Sequence, residues 1–179
     1  RPVVEMQFDG FSYPDFNQII SNVSRIQKRS RGRFKAPMVI RFPYGGGINA
    51  LEHHSESPEA LYAHIPGLKV VVPSTPHDAK GLLIAAIESD DPVIFMEPKR
   101  IYRAIKQEVS DEKFSIPIGK AKVLNEGSDV TVVAFGAMIR ESQKAMAMAK
   151  EAGISVELID LRTIYPIDRE TIIESVKKT

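Results

Sequence analysis

The chain contains no cysteine. That excludes disulfides, thiolate metal sites and cysteine nucleophiles. No apolar run approaches the roughly 20 residues that a bilayer-spanning helix needs. Net charge is only +1, so nothing draws the whole molecule toward nucleic acid or a membrane surface. Internal repeats and low-complexity stretches are absent too, and no signal-peptide pattern is visible. What is present is a globular composition: 179 residues, 43% hydrophobic and 26% charged. That length suits one domain, or one domain plus part of another, with a real core.

Charge is uneven in one place. Arg25, Lys28, Arg29, Arg31, Arg33 and Lys35 form a basic run with no acid nearby. It reads as a solvated loop, with contact to an acidic partner or a phosphate as the alternative.

Strand and helix signals alternate along the chain. "PVVEMQF" (2–8) reads as a strand broken by Asp9-Gly10. Phe16, Ile19, Ile20, Val23 and Ile26 recur at helical spacing after Pro14. "APMVIRF" (36–42) is a near-continuous apolar run of the buried, parallel kind. Ser57-Pro58-Glu59 signals a short helix capped by Ser57, and "LKVVVPS" (68–74) a strand. Ser74 or Thr75 caps a helix opening on Pro76, and "PVIFME" (92–97) is a further strand. Residues 98–118 read as irregular, which predicts a boundary there, between domains 1–112 and 113–179. Beyond it, "GKAKVLNEG", "DVTVVAFG" and "ISVELIDLR" are strands. "MIRESQKAMAMAKEAG" is a helix closed by Gly153, and "DRETIIESVKK" another helix. The alternation predicts parallel sheets with flanking helices throughout. The abrupt opening on "RPVVEMQF" and the stop at "SVKKT" read as a piece with elements missing at both ends.

Chemistry concentrates after the second strand. Pro43-Tyr44-Gly45-Gly46-Gly47 lies where parallel sheets bind ligands, past a strand's carboxyl end. These glycines form neither a Walker loop nor G-x-G-x-x-G before a helix. They lead to His53 and His54, adjacent residues poorly suited to ligate one metal together. One imidazole is exposed and the other hydrogen-bonded in the loop, or one enters a cleft as acid, base or anion-binding donor. His64 reads as a core histidine on an apolar helix face, and His77 as a surface residue.

Together, "IRFPYGGGINALEHHSESPEALYAHIPGLKVVVPSTPHDAKGLLIAAI", "DPVIFMEPKRIYR" and "EGSDVTVVAFG…VELIDLRTIYPID" resemble the β subunit of the decarboxylating component of 2-oxo acid dehydrogenase complexes. The likeness covers essentially the whole chain. It implies an α/β thiamine-diphosphate-binding fold, the later part of a pyrimidine-binding domain, followed by the start of a second α/β domain of transketolase C-terminal type. It implies oxidative decarboxylation of a branched-chain 2-oxo acid or pyruvate, with the acyl group passed to lipoyl. "HSESPEALYAH" and "EPKRIYRA" lean the reading toward the branched-chain type.

By the same resemblance His54, in His54-Ser55-Glu56, is the catalytic histidine, with Glu56 standing where the family has glutamine. Phe11 matches the aromatic residue that packs on the cofactor's aminopyrimidine, and Tyr13 lies near enough to line the pocket. Backbone carbonyls of Met38, Ala86, Ile87, Ser89 and Asp91 match a structural potassium site. The implied cofactor is thiamine diphosphate, its Mg²⁺ held by an α subunit. The implied partners are that α subunit and a second β subunit in an α2β2 heterotetramer, and the lipoyl domain and core of the dihydrolipoyl acyltransferase. Nucleic acid and membrane are not among them. The implied location is the cytoplasm of a prokaryote or the mitochondrial matrix of a eukaryote. The family's cofactor-activating glutamate lies upstream of Arg1, so the piece alone is expected to be inactive. The competing readings are another transketolase-type enzyme (transketolase or deoxyxylulose-phosphate synthase) and a noncatalytic assembly module.

Overall fold

The computed structural model describes residues 1–179, arranged around two sheets. In chain order, β1 (Val3–Glu5) leads through a 3-10 turn at Asp9–Ser12 into a broken helical stretch. That stretch is α1 (Phe16–Gln18), a π turn (Ile19–Val23) and α2 (Ile26–Arg29). Next come β2 (Val39–Tyr44), α3 (Glu59–Ala63), β3 (Lys69–Val71), α4 (Pro76–Glu88) and β4 (Val93–Pro98). The rest comprises β5 (Lys122–Asn125), β6 (Val130–Ala134), α5 (Met138–Glu151), β7 (Val156–Asp160), β8 (Thr163–Tyr165) and α6 (Arg169–Lys178).

The first sheet has the order β1-β2-β4-β3-β8, and its first four strands are parallel. Both faces of its central strands β2, β4 and β3 are covered, whereas β1 at the edge is exposed. Ile40, Phe42, Tyr44, Val70, Val72, Ile94 and Met96 pack with Ile19 and Tyr62 on one face. Their sequence neighbours Val39, Val71, Val93 and Phe95 pack with Leu82 and Ala86 of α4 and with Ile116 on the other. Period-two alternation within apolar runs thus fills two cores at once, which is why these strands carry almost no polar residues. Thr75 caps α4 by accepting the Asp78 N–H at 3.1 Å, with Pro76 in the first turn.

The second sheet is β5-β7-β6, with β6 parallel and β5 antiparallel to β7. Strand β8 leaves this region and pairs antiparallel with β3, so the two parts share a sheet. A buried cluster sits at that seam. Arg162 grips Asp78 with two bonds, at 2.7 and 3.2 Å, and Ser74 donates to Asp160. Burial pushes the Asp160 carboxyl above its ordinary range, against the opposing bonds from Ser74 and the Arg162 N–H.

Several local expectations change. Parallel pairing does not hold throughout, because β5 and β8 both run antiparallel to their partners. The strand expected over 2–8 keeps ladder geometry only to Glu5, since the chain turns inward at Asp9. Ser57 does not cap α3; Pro58 precedes its first residue and no side chain caps it. His64 is exposed at the end of α3, and Tyr62 is the residue that helix buries.

Candidate active site

Strands β1, β2 and β4 are neighbours and parallel, so their carboxyl ends open on one edge. Three loops meet there: residues 6–12 after β1, residues 45–58 after β2, and residues from Lys99 onward after β4. Such an edge is where parallel α/β sheets place ligands.

The loop after β2 turns at Gly45 and Gly47, whose φ angles are +90° and +87°, in the left-handed region open to glycine. It closes on itself through the Gly45 N–H, which donates to Glu56 O at 2.8 Å. At its far end His53 is exposed and His54 is partly buried. The His54 ring lies 4.2 Å from the Phe8 ring, and 6.1 Å from Phe11 in an edge-on arrangement. Its Nδ1 is 3.1 Å from Glu52 O. A carbonyl can only accept, so Nδ1 is the donor here, and Nε2 is the nitrogen left free of the loop. The loop after β1 touches this one directly, since the Gly10 N–H donates to His53 O at 3.3 Å.

The sequence-derived candidates fall into two groups. His54, Phe11 and Tyr13 are brought to one edge. Phe11 is 48% exposed, which leaves its ring free to stack on a ligand. Tyr13 is 37% exposed, and partial burial with the neighbouring Glu56 carboxylate raises its phenol above the ordinary range. Met38, Ala86, Ile87, Ser89 and Asp91 lie elsewhere, around the C-terminal end of α4. There the Arg1 guanidinium donates to the carbonyls of Ile87 (3.1 Å), Glu88 (3.0 Å) and Ser89. Met38 O accepts the Val93 N–H at 3.0 Å, and Ala86 O that of Ser89 at 3.3 Å. The Asp91 carboxylate pairs with Lys69 at 3.0 Å.

Four site residues escape sequence reasoning: Phe8, Asp9, Gly10 and Lys99. Asp9 and Lys99 form an ion pair at 3.1 Å beneath the aromatic wall. Phe8 forms the wall itself, and Gly10 admits the histidine loop. Their shared signal is position, since all lie within a few residues of a parallel strand's carboxyl end. A cavity of about 410 Å³ adjoins the wall, lined by Phe8, Ile48, Lys99, Arg100 and Arg103 among others. A second cavity, about 350 Å³, lies over Phe95 and Tyr102 and does not include His54. Its guanidinium, Arg41, is already paired with Glu97 and Glu5.

Residues 1–105 match the family model described as transketolase, pyrimidine binding domain. Residues 119–179 match that described as transketolase, C-terminal domain. The whole chain is 62% identical to "Pyruvate dehydrogenase E1 component subunit beta" of Acholeplasma laidlawii and covers 55% of it. It is 50% identical, with the same coverage, to "2-oxoisovalerate dehydrogenase subunit beta" of Bacillus subtilis (strain 168). The chain thus spans about half the length of the curated relatives it matches. A solved structure described as "Split gene transketolase, inactive beta4 tetramer" superposes with TM-score 0.79 at 27% identity, covering 99% of this chain and 54% of that one.

Proposed function

The chain belongs to the family of transketolase-type pyrimidine-binding domains, and from that premise we propose that it is the central part of the β subunit of a 2-oxo acid dehydrogenase's decarboxylating component. The complete protein would decarboxylate a 2-oxo acid and pass the acyl group to lipoyl. Pyruvate is the first substrate to test, because a relative named for it stands at 62% identity and one named for 2-oxoisovalerate at 50%. The observation that carries the reading is His54, held against Phe8 and beside Phe11 at the open edge of three parallel strands.

The residues present fit one part of thiamine diphosphate. The half-exposed ring of Phe11 suits stacking by a flat heterocycle, and Tyr13 offers a hydroxyl at the rim. The cofactor, when bound, supplies the electron sink for loss of carbon dioxide. The chain supplies orientation, water exclusion and a proton. Phe8 and Phe11 keep water from one side of the imidazole. His54 Nδ1–H, fixed on Glu52 O, aims Nε2 away from the loop. Protonated there, it pairs with the substrate carboxylate, and then gives that proton up during transfer to lipoyl.

The remaining assignments follow from the same reading. An α subunit would hold Mg²⁺ and the diphosphate and, with a second β subunit, complete an α2β2 heterotetramer. The acyltransferase core and its lipoyl domain would dock on the assembled enzyme, in the cytoplasm of a prokaryote or the mitochondrial matrix of a eukaryote. A potassium ion would take the carbonyls of Met38, Ala86, Ile87, Ser89 and Asp91. The cationic guanidinium of Arg1, standing on two of these carbonyls, supports that last point.

The test is His54→Ala in the full-length β subunit assembled with α. Lipoyl-domain acylation is expected to fall by on the order of 10²–10⁴ with assembly intact. Unchanged turnover would overturn the assignment. The likeness to a split-gene transketolase favours one second reading, a sugar-phosphate transferase. A screen of 2-oxo acids against sugar phosphates separates the two.

A further inference from the structure

Lys99 is the first residue past β4, and the reading of His54 makes no use of it. Its side chain is 6% exposed, and that of its partner Asp9 is 0% exposed. The ammonium has partners from both neighbouring loops. It lies 3.1 Å from Asp9 Oδ1, donates to the backbone carbonyl of His54, and stands 5.1 Å from the centre of the Phe8 ring. Asp9 Oδ2 has no hydrogen-bond partner, so its buried carboxylate depends on Lys99 for compensation.

A lysine here carries a desolvation penalty that a leucine of similar volume would not. What the charge provides is geometry. One ammonium holds the main chain of His54 and also the ring on which the His54 imidazole packs at 4.2 Å. Backbone and ring are therefore tied to a single point under the sheet edge. The loop's other ties include main-chain bonds, from the Gly45 N–H to Glu56 O at 2.8 Å and from the Gly10 N–H to His53 O at 3.3 Å; its glycine turns are conformationally permissive.

We propose that Lys99 is a positioning residue for His54, fixing where the imidazole stands when a proton must be moved. The proposal rests on the reading of His54 given above, whereas that reading stands without it. Lys99→Met alone leaves Asp9 uncompensated, so the discriminating variant is Asp9→Asn/Lys99→Met, compared with Asp9→Asn.

All variants are made in the full-length β subunit assembled with α, with His54→Asn as control. The readouts are kcat and KM for lipoyl-domain acylation, the pH profile of kcat, and the thermal midpoint. Asp9→Asn keeps the bond from Lys99 to His54, and its kcat is the reference against which the double variant is read. The double variant is expected to lose kcat by on the order of 10²-fold, the penalty for misplacing a reacting group by about 1 Å. Its KM should match that of Asp9→Asn, its thermal midpoint should be no lower, since Asp9→Asn alone leaves the Lys99 ammonium buried without its counter-charge, and the limb of its pH profile that His54→Asn abolishes should be displaced. A double variant with the kcat of Asp9→Asn overturns the proposal. So does an Asp9→Asn variant as slow as the double, because the carboxylate would then be the group that matters. If His54→Asn itself keeps full turnover, the reading of His54 fails, and the positioning role with it. An inactive His54→Asn beside an active double variant removes the positioning role alone.

Discussion

Replacing Gly10 by alanine tests the contact between the first two loops. The φ of Gly10 is not in the left-handed region, so the backbone accepts alanine. Taken alone, that change stabilises a protein by about 0.4–1 kcal/mol through the unfolded chain. Space opposes it. A Cβ at position 10 would lie 2.6 Å from His53 O and 2.7 Å from both the Cα and the Cβ of His53. Two of those three atoms are main chain and cannot swing away. Opening the closest contact from 2.6 to 3.4 Å moves the loop by about 0.8 Å. Overpacking of this kind costs about 1–3 kcal/mol, so the steric effect wins and the variant is destabilised by up to about 2.6 kcal/mol. His54 is the next residue and travels with the loop. A displacement near 1 Å costs on the order of 10²-fold in rate. The assay is lipoyl-domain acylation by the full-length β subunit with its α partner, with thermal unfolding measured in parallel. A variant with a raised thermal midpoint and intact acylation would refute the reasoning, because the two loops would then not be in contact.

Two further outcomes concern stability. Arg162→Met leaves the buried Asp78 carboxylate with only the 3.3 Å contact from His77 Nδ1, and should cost up to about 3–5 kcal/mol in chemical denaturation, whereas the neutral pair Asp78→Asn/Arg162→Met should recover most of it. Lys178→Met acts through pH. Burial alone would raise the Glu157 carboxyl, but bonds from Lys178, Ser175 and the Gly127 N–H outweigh it and hold it down, from 4.5 to about 2. The folded carboxylate therefore binds a proton less readily than the unfolded chain does. Its stabilising effect is complete above 4.5 and is lost as pH falls through about 2. Removing Lys178 should move the acid-unfolding midpoint, followed by circular dichroism, to higher pH; an unmoved midpoint would show that the ion pair does not matter.

Much of the fold is legible because apolar runs and turn residues agree. "APMVIRF" and "PVIFME" read as buried strands, and both lie inside the two cores. Thr75 with Pro76 reads as a helix start, and the hydroxyl accepts the expected amide. Strand β8 could not be read, since Thr163–Tyr165 is too short to show a period and its pairing with β3 is entirely nonlocal. The site is legible where chemistry shows in the residue type. The imidazole after a glycine turn is such a case. Asp9 and Lys99 are not, since they stand 90 residues apart and each alone resembles a surface charge. Only the adjacency of β1, β2 and β4 makes them a buried pair.

The seam strand has a mechanical consequence. Val70 and Val71 lend their second edge to a neighbour contributed from residues 163–165, so one hydrogen-bonded fabric runs through both portions of the polypeptide. A protease nick in the irregular stretch near residue 110 should not let the halves drift apart. Pulling them apart would strip a hydrophobic border bare, leaving the larger piece prone to sticking to copies of itself.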